Sequence, residues 1–204
     1  MRPALVIVFA RAPEPGRVKT RLAASIGDEA ACDVYLRLGA KIVDALTRDP
    51  ERPYDLRVCF TPREGEEAVK RWLRDADAYG PQIEGGLGEK LRHEVDAAFG
   101  EGRSAVVLVG TDCLAVDDLR VREALSALGD VDAVMGPALD GGYYLLALSR
   151  PLAVFEGVPW STAEVAETTR VLLRGCGARW CELPVERDVD TVEDLDAVRA
   201  MLDL

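Results

Sequence analysis

Four cations, Arg11, Arg17, Lys19 and Arg21, fall within FARAPEPGRVKTRLAASIG (9–27), directly after an apolar run near the N-terminus. A glycine-bearing turn between a strand and a helix lets backbone N–H groups approach an oxyanion. Lys19 suits phosphate as a movable point charge and Arg21 as a planar fork. Ala10, Arg11 and Gly16 complete this candidate substrate-binding set. The spacing is not that of a Walker A loop, G-x-x-x-x-G-K-[ST], and the plain alternative is a solvated basic loop.

Carboxylates follow other strand-like runs. In VLVGTDC, Thr111 and Asp112 come after the most apolar strand in the chain. A carboxylate at a strand's carboxyl end can hold Mg²⁺ or Mn²⁺ against phosphate oxygens, although a turn or capping aspartate has the same look. In RDVDTVEDL, capping explains Thr191, Glu193 and Asp194 but not both Asp188 and Asp190, so a second metal ligand is expected there. In GPALDGGYYLL, Gly141 and Gly142 after Asp140 permit close approach to a ligand, while Asp-Gly is equally a hairpin signal. Tyr143 and Tyr144 alternate on the next strand, so one of them faces the core. In QIEGGLGEKL, Gly85, Gly86 and Gly88 could contact a base or ribose, with Lys90 near a phosphate. Asp117 and Asp118 read as helix caps.

The 204 residues carry 36 acids and 25 bases, a net charge of −11, which argues against a nucleic-acid partner but permits a local basic pocket. No apolar run reaches the roughly 20 residues of a membrane span. The first apolar run ends in Arg and Pro instead of a small-residue cleavage site, so it reads as a strand. Five cysteines without a CxxC pair suggest reduced thiols and a cytoplasmic setting. The lone histidine, His93, lies in a charged helical stretch and reads as solvated.

These residues need a scaffold that brings strand ends together. Strands are expected at 4–10, 55–61, 104–113, twice within 131–148, and at 178–184. Helices are expected at 28–46, 64–76, after the 83–90 loop to 100, at 117–128, at 161–177 with Ser161 as N-cap, and at 190–202. No linker or repeat divides the chain, so residues 1–204 form one domain. The alternation predicts a three-layer α/β/α domain with a mostly parallel sheet, in which ligands bind at the strands' carboxyl ends.

Taken in order, FARAPEPGRVKTRL, QIEGGLGEKL, VLVGTDC, VMGPALDGGYYLLAL, FEGVPWST and DVDTVEDL resemble a family of small bacterial GT-A-like transferases of the DUF2064 type. They are described as nucleotide-diphospho-sugar transferases or glycosyltransferases, some tied to arsenosugar biosynthesis. The resemblance runs from Val8 to Leu195. GRVKTRL is also similar to the triphosphate-holding loop of nucleotidyltransferases such as the phospholactate guanylyltransferases. DVDTVEDL is similar to the V-D-T-P-E-D-L segment of sugar-activating cytidylyltransferases, whose aspartate is a metal ligand. Leu114 stands where the family usually has Pro, Val192 replaces the Pro of the cytidylyltransferase segment, and Arg11 stands where Lys is frequent.

The resemblance implies a GT-A-like mixed sheet and a metal pair of Asp112 and Asp190 holding Mg²⁺ or Mn²⁺. It implies a nucleotide or nucleotide-sugar substrate, with Lys19 neutralising phosphate and a small-molecule acceptor beside DGGYY. Lys19, Asp112 and Asp140 are the expected catalytic residues, Asp140 as general base. Glycosyl transfer, which releases a nucleoside diphosphate, is favoured by the length of the resemblance. Nucleotidyl transfer, which releases pyrophosphate, is favoured by the K-T-R-L loop. A non-catalytic nucleotide-binding module is the third reading.

Overall fold

The computed structural model describes residues 2–202. Its centre is β1 (Ala4–Arg11), an unbroken apolar strand paired in parallel with β2 (Tyr54–Thr61) on one side and β4 (Val106–Val109) on the other. The sheet continues through β3 (Ala78–Pro81) at one edge, and through β6 (Tyr143–Leu148), β5 (Ala133–Pro137) and β7 (Trp180–Glu182) at the other. The order is β3-β2-β1-β4-β6-β5-β7. Only β6 runs against its neighbours. A mostly parallel mixed sheet is therefore the observed architecture.

Alternate side chains of β1 feed two cores, because successive residues of a strand point to opposite faces. Val6, Val8 and Ala10 pack with α2 (Asp28–Thr47), α3 (Glu66–Trp72) and α5 (Asp118–Ala127). Leu5 and Ile7 pack with α4 (Leu87–Gly100) and α6 (Val165–Gly175). This gives the three layers. A third cluster lies beside α2, where Leu22 of α1 (Thr20–Ile26) packs with Val189 and with Leu195, which lies in α7 (Val192–Val198). That cluster brings the first and last helices side by side, and with them the loops that carry Lys19 and Asp190.

Several boundaries differ from the sequence expectation. The basic loop leads into the short α1 before α2 begins. β3 was not expected: its AYGP sequence is short and contains Pro, and edge pairing to β2 alone supports it. Ser161 is not an N-cap. It adopts φ 66° in the loop before α6, whose N-cap is Glu164. Asp117 does cap α5, accepting from Arg120 N at 2.7 Å. His93 is exposed on α4.

Between β5 and β6, Gly141 has φ 90°, and a Cβ there would lie 2.2 Å from the carbonyl oxygen of Ala163. Its own carbonyl accepts from Ala166 N at 2.9 Å. The glycine thus lets the 160–163 segment lie directly on the hairpin. Gly141→Ala is expected to destabilise the protein by about 1–3 kcal/mol, from positive-φ strain plus the clash. Urea unfolding of the two proteins measures the difference.

Candidate functional site

The loops at the carboxyl ends of β1 and β4 meet the segment before α7. β1 ends in Arg11, whose backbone N–H donates to Tyr35 Oη (3.0 Å) and whose carbonyl accepts from the same hydroxyl (3.1 Å). Tyr35 of α2 thereby clamps the start of the basic loop. At the other end of that loop, Lys19 adopts a left-handed backbone (φ 47°, ψ 44°) as N-cap of α1. This conformation is uncommon for a non-glycine residue, and surrounding contacts must hold it.

Lys19 is the centre of those contacts. Its side chain is 4% exposed, and Nζ lies 3.2 Å from Asp112 Oδ1 and 2.9 Å from Asp190 Oδ1. Arg21 Nη1 reaches the other oxygen of Asp190 at 3.2 Å. Burial alone would lower the Lys19 pKa, but the charges of Asp112 and Asp190 reverse that and hold it above the ordinary value. The two aspartates converge because Val189 N donates to the carbonyl of Asp112 (3.0 Å), tying the β4 end to the segment before α7. Asp194 fixes the next turn, with its Oδ2 accepting from Asp190 N (3.2 Å) and Thr191 N (3.0 Å).

The triad separates two lobes of one cleft. The smaller, about 430 Å³, is lined by Ala10, Arg11, Arg17, Lys19 and Arg21, with Tyr35 and Gln82. Gln82 is held there by donating to the carbonyls of Ala10 and Cys59 (3.3 and 3.0 Å). Arg17 pairs with Glu14 at 3.1 Å and is exposed. The larger lobe, about 750 Å³, is lined by Phe9, Leu87, Tyr143, Trp160, Asp140 and Asp188, among others. Phe9, Arg21, Leu87, Gly110, Asp112 and Asp190 belong to both lobes.

Most, but not all, of the expected site residues gather here. Asp140 lines the larger lobe, but its Oδ1 accepts from Gly142 N (2.8 Å), so the aspartate also closes its own turn. Tyr143 and Tyr144 both line the lobe, and Tyr144 is also buried in the core, as expected for one of the pair. Gly16 has φ 77° within the basic loop, beside the Asp28 carboxylate, and lines neither lobe. Gly85, Gly86, Gly88 and Lys90 also line neither lobe, whereas Leu87 from the same stretch lines both. Gly86 caps α4, with its N–H bound to Glu89. A Cβ on Gly88 would lie 2.5 Å from the Phe155 carbonyl and 2.7 Å from Trp160 Nε1, so that glycine serves packing.

Sequence reasoning missed Tyr35, Gln82 and the Trp160–Ala163 segment. Trp160 stands edge-on to Tyr143, with ring centroids 6.2 Å apart. Two polar atoms of the larger lobe's residues, Tyr143 Oη and Asp188 Oδ1, are buried without a hydrogen-bond partner. Burial, reinforced by the charges of Asp112 and Asp140, pushes the Asp188 pKa up to about 7.

Among the described residues, no group of three or more His, Cys, Asp or Glu side chains forms a metal cage. The donors fit a looser arrangement. Mg²⁺ is commonly held by one or two carboxylates plus substrate phosphates, and Asp112 and Asp190 already converge on one cation, Lys19 Nζ. With phosphate in the smaller lobe, these two aspartates could hold Mg²⁺ or Mn²⁺ beside it.

A family of bacterial proteins described as "Uncharacterized protein conserved in bacteria (DUF2064)" matches residues 43–162. The chain belongs to this family. The matched region includes Asp112 and Asp140 but leaves Lys19 and Asp190 on its flanks. A solved structure reaches both flanks: the "putative nucleotide-diphospho-sugar transferase" from Desulfovibrio desulfuricans G20 is 34% identical. That match covers 97% of this chain and 87% of that one, with a TM-score of 0.89.

A cytidylyltransferase from Leptospira borgpetersenii serovar Hardjo-bovis is 16% identical over 100% of this chain and 87% of that one (TM-score 0.56). Rv0371C of Mycobacterium tuberculosis H37Rv, solved in complex with manganese, is 19% identical over 100% and 99% of the two chains (TM-score 0.53). These two share the fold with this family member. Among curated proteins, none matches the sequence.

Asp194 gives a direct check on how the Asp190 loop is held. Burial opposes its ionisation, but Arg187, Thr191 and two backbone N–H groups hold its pKa below the ordinary 3.8. A carboxylate depressed in the fold stabilises above its unfolded pKa, and that contribution is lost as pH falls through the folded value. Asp194→Ala is expected to cost about 1–2 kcal/mol at pH 7. The gap between variant and wild type in urea melts should narrow as the pH drops below 3.8.

Proposed function

We propose that this protein is a transferase that moves a glycosyl group from a nucleoside-diphosphate sugar to a small-molecule acceptor. The observation that carries this reading is the buried Lys19 ammonium bridging Asp112 and Asp190 where a basic lobe meets an aromatic, acidic one. The full-length likeness to the Desulfovibrio desulfuricans protein supports it.

In this reading the smaller lobe takes the diphosphate. Lys19 and Arg21 offset its charge, with Arg11 and Arg17 at the outer side, and Gln82 adds a polar group beside them. Asp112 and Asp190 would hold Mg²⁺ or Mn²⁺, which would supply positive charge beside the diphosphate. The larger lobe holds the acceptor, whose hydroxyl replaces the nucleoside diphosphate at the anomeric carbon and loses its proton. Asp140 and Asp188 both line this lobe and are the carboxylates available to take that proton; Asp140 Oδ1 also accepts from Gly142 N–H. Catalysis of this kind rests on positioning and preorganised charge more than on covalent help.

Nucleotidyl transfer is the second reading. The pairing of Arg21 and Lys19 with Asp190 favours it, because a triphosphate would engage both cations, and the fold is shared with a cytidylyltransferase. Incubation with Mn²⁺, nucleotide-sugars and a small hydroxylated acceptor should release nucleoside diphosphate, whereas NTPs plus sugars or sugar phosphates should release no pyrophosphate. Pyrophosphate release alone would establish the second reading, and no thermal shift with any nucleotide would sink both. Lys19→Ala is expected to lower kcat about 10²–10³-fold, the scale for losing one preorganised charge contact. It should also abolish nucleotide-induced thermal stabilisation.

A further inference from the structure

The two lobes differ in charge as well as in size. The smaller lobe carries Arg11, Arg17, Lys19 and Arg21 against Asp112 and Asp190. The larger carries Asp112, Asp140, Asp188 and Asp190 against a single cation, Arg21, whose guanidinium is already bound to Asp190. Lys19 and Arg21 between them answer Asp112 and Asp190. Asp140 and Asp188 are left without a salt bridge among the described residues. An anionic ligand in this lobe would meet the unpaired Asp140 carboxylate, with Asp188 beside it, and no unpaired side-chain cation, a repulsive arrangement at close range.

What the lobe does offer is apolar surface and hydrogen-bonding atoms. Phe9, Leu87, Tyr143 and Trp160 line it. Tyr143 Oη and Asp188 Oδ1 belong to lining residues and are buried without protein partners, which is costly unless a ligand or water completes them. A phenol can donate to a hydroxyl and a carboxylate can accept from one. The indole edge-on to Tyr143 adds a flat apolar wall.

We propose that the larger lobe is built for a hydroxyl-bearing acceptor that carries no negative charge. Trp160 supplies its apolar wall, and Asp140 acts as the element that rejects phosphorylated and carboxylated analogues. This rests on the transferase reading above and narrows it. A sugar phosphate or phosphorylated acid, the usual partner for an NTP in sugar activation, would be turned away. A free polyol or glycoside would be admitted.

The test uses matched pairs of small molecules with the full-length protein: glucose against glucose 6-phosphate, and glycerol against glycerol 3-phosphate. Binding is read by saturation-transfer NMR in the presence of a saturating nucleoside diphosphate and Mn²⁺-free Mg²⁺ buffer. Transfer to the neutral member of each pair, with little to the phosphorylated one, is the expected result. Trp160→Ala should abolish transfer to the neutral members. Asp140→Asn, which can keep the turn through its side-chain oxygen, should raise transfer to the phosphorylated members several-fold.

Nucleotide-induced thermal shift is recorded for every variant. A normal shift shows that the fold and the phosphate lobe are intact, and its absence in the wild type overturns the nucleotide reading by itself. Equal or stronger transfer to the phosphorylated members in the wild type overturns the charge assignment. So does silence from every neutral member while the nucleotide shift is normal. If Trp160→Ala retains both the nucleotide shift and transfer to the neutral members, the lobe is not the acceptor subsite.

Discussion

One ammonium group holds three parts of the chain together. Lys19 Nζ contacts Asp112 at the end of β4 and Asp190 before α7, partners 93 and 171 positions away along the sequence. A cation buried to this degree would be costly alone; two carboxylates within 3.2 Å make it tolerable. Its left-handed backbone, the short α1 that follows and the close approach of α1 to α7 all belong to that arrangement. Remove the cation and two aspartates face each other with only Arg21 to separate their charge.

The same contact explains why the cleft has two characters. On the β1 and β2 side, the basic loop, Tyr35 and Gln82 form a cationic recess. On the β6 side, the hairpin, the Trp160–Ala163 segment and Asp188 form an aromatic and acidic one. β6 is the reversed strand, and its reversal puts the hairpin turn with Asp140 at the carboxyl ends of β4 and β5, within reach of Asp112. Gly141 then allows the 160–163 segment to close the far wall. Charge is thus sorted in space by strand direction: a cationic recess on the parallel half, an aromatic and acidic one beside the antiparallel strand.

Much of the frame was legible in the residues. The alternation of apolar runs with amphipathic stretches predicted the layers, and the rule that ligands sit at strand ends selected Lys19, Asp112, Asp140 and Asp190. Caps such as Asp117 were readable because their partners lie three residues away. Gly85, Gly86, Gly88 and Lys90, expected to contact the ligand, line neither lobe. A glycine-rich stretch before a helix looks the same whether it cradles a ligand or lets a helix cap and an indole pack closely. β3 was invisible because four residues with a proline carry no periodicity.

Sequence by itself determined which residue types end each strand and which faces of β1 are buried, because those patterns repeat over two to four residues. It also determined that four cations share one loop. Tertiary structure alone decided that Lys19 lies between Asp112 and Asp190, that Tyr35 clamps Arg11, and that Asp140 lies in the acidic lobe. Those outcomes depend on the order of strands in the sheet and on the packing of α1 against α7. Contacts between residues 24 to 171 positions apart are set by burial of whole elements and leave no local signature in the chain.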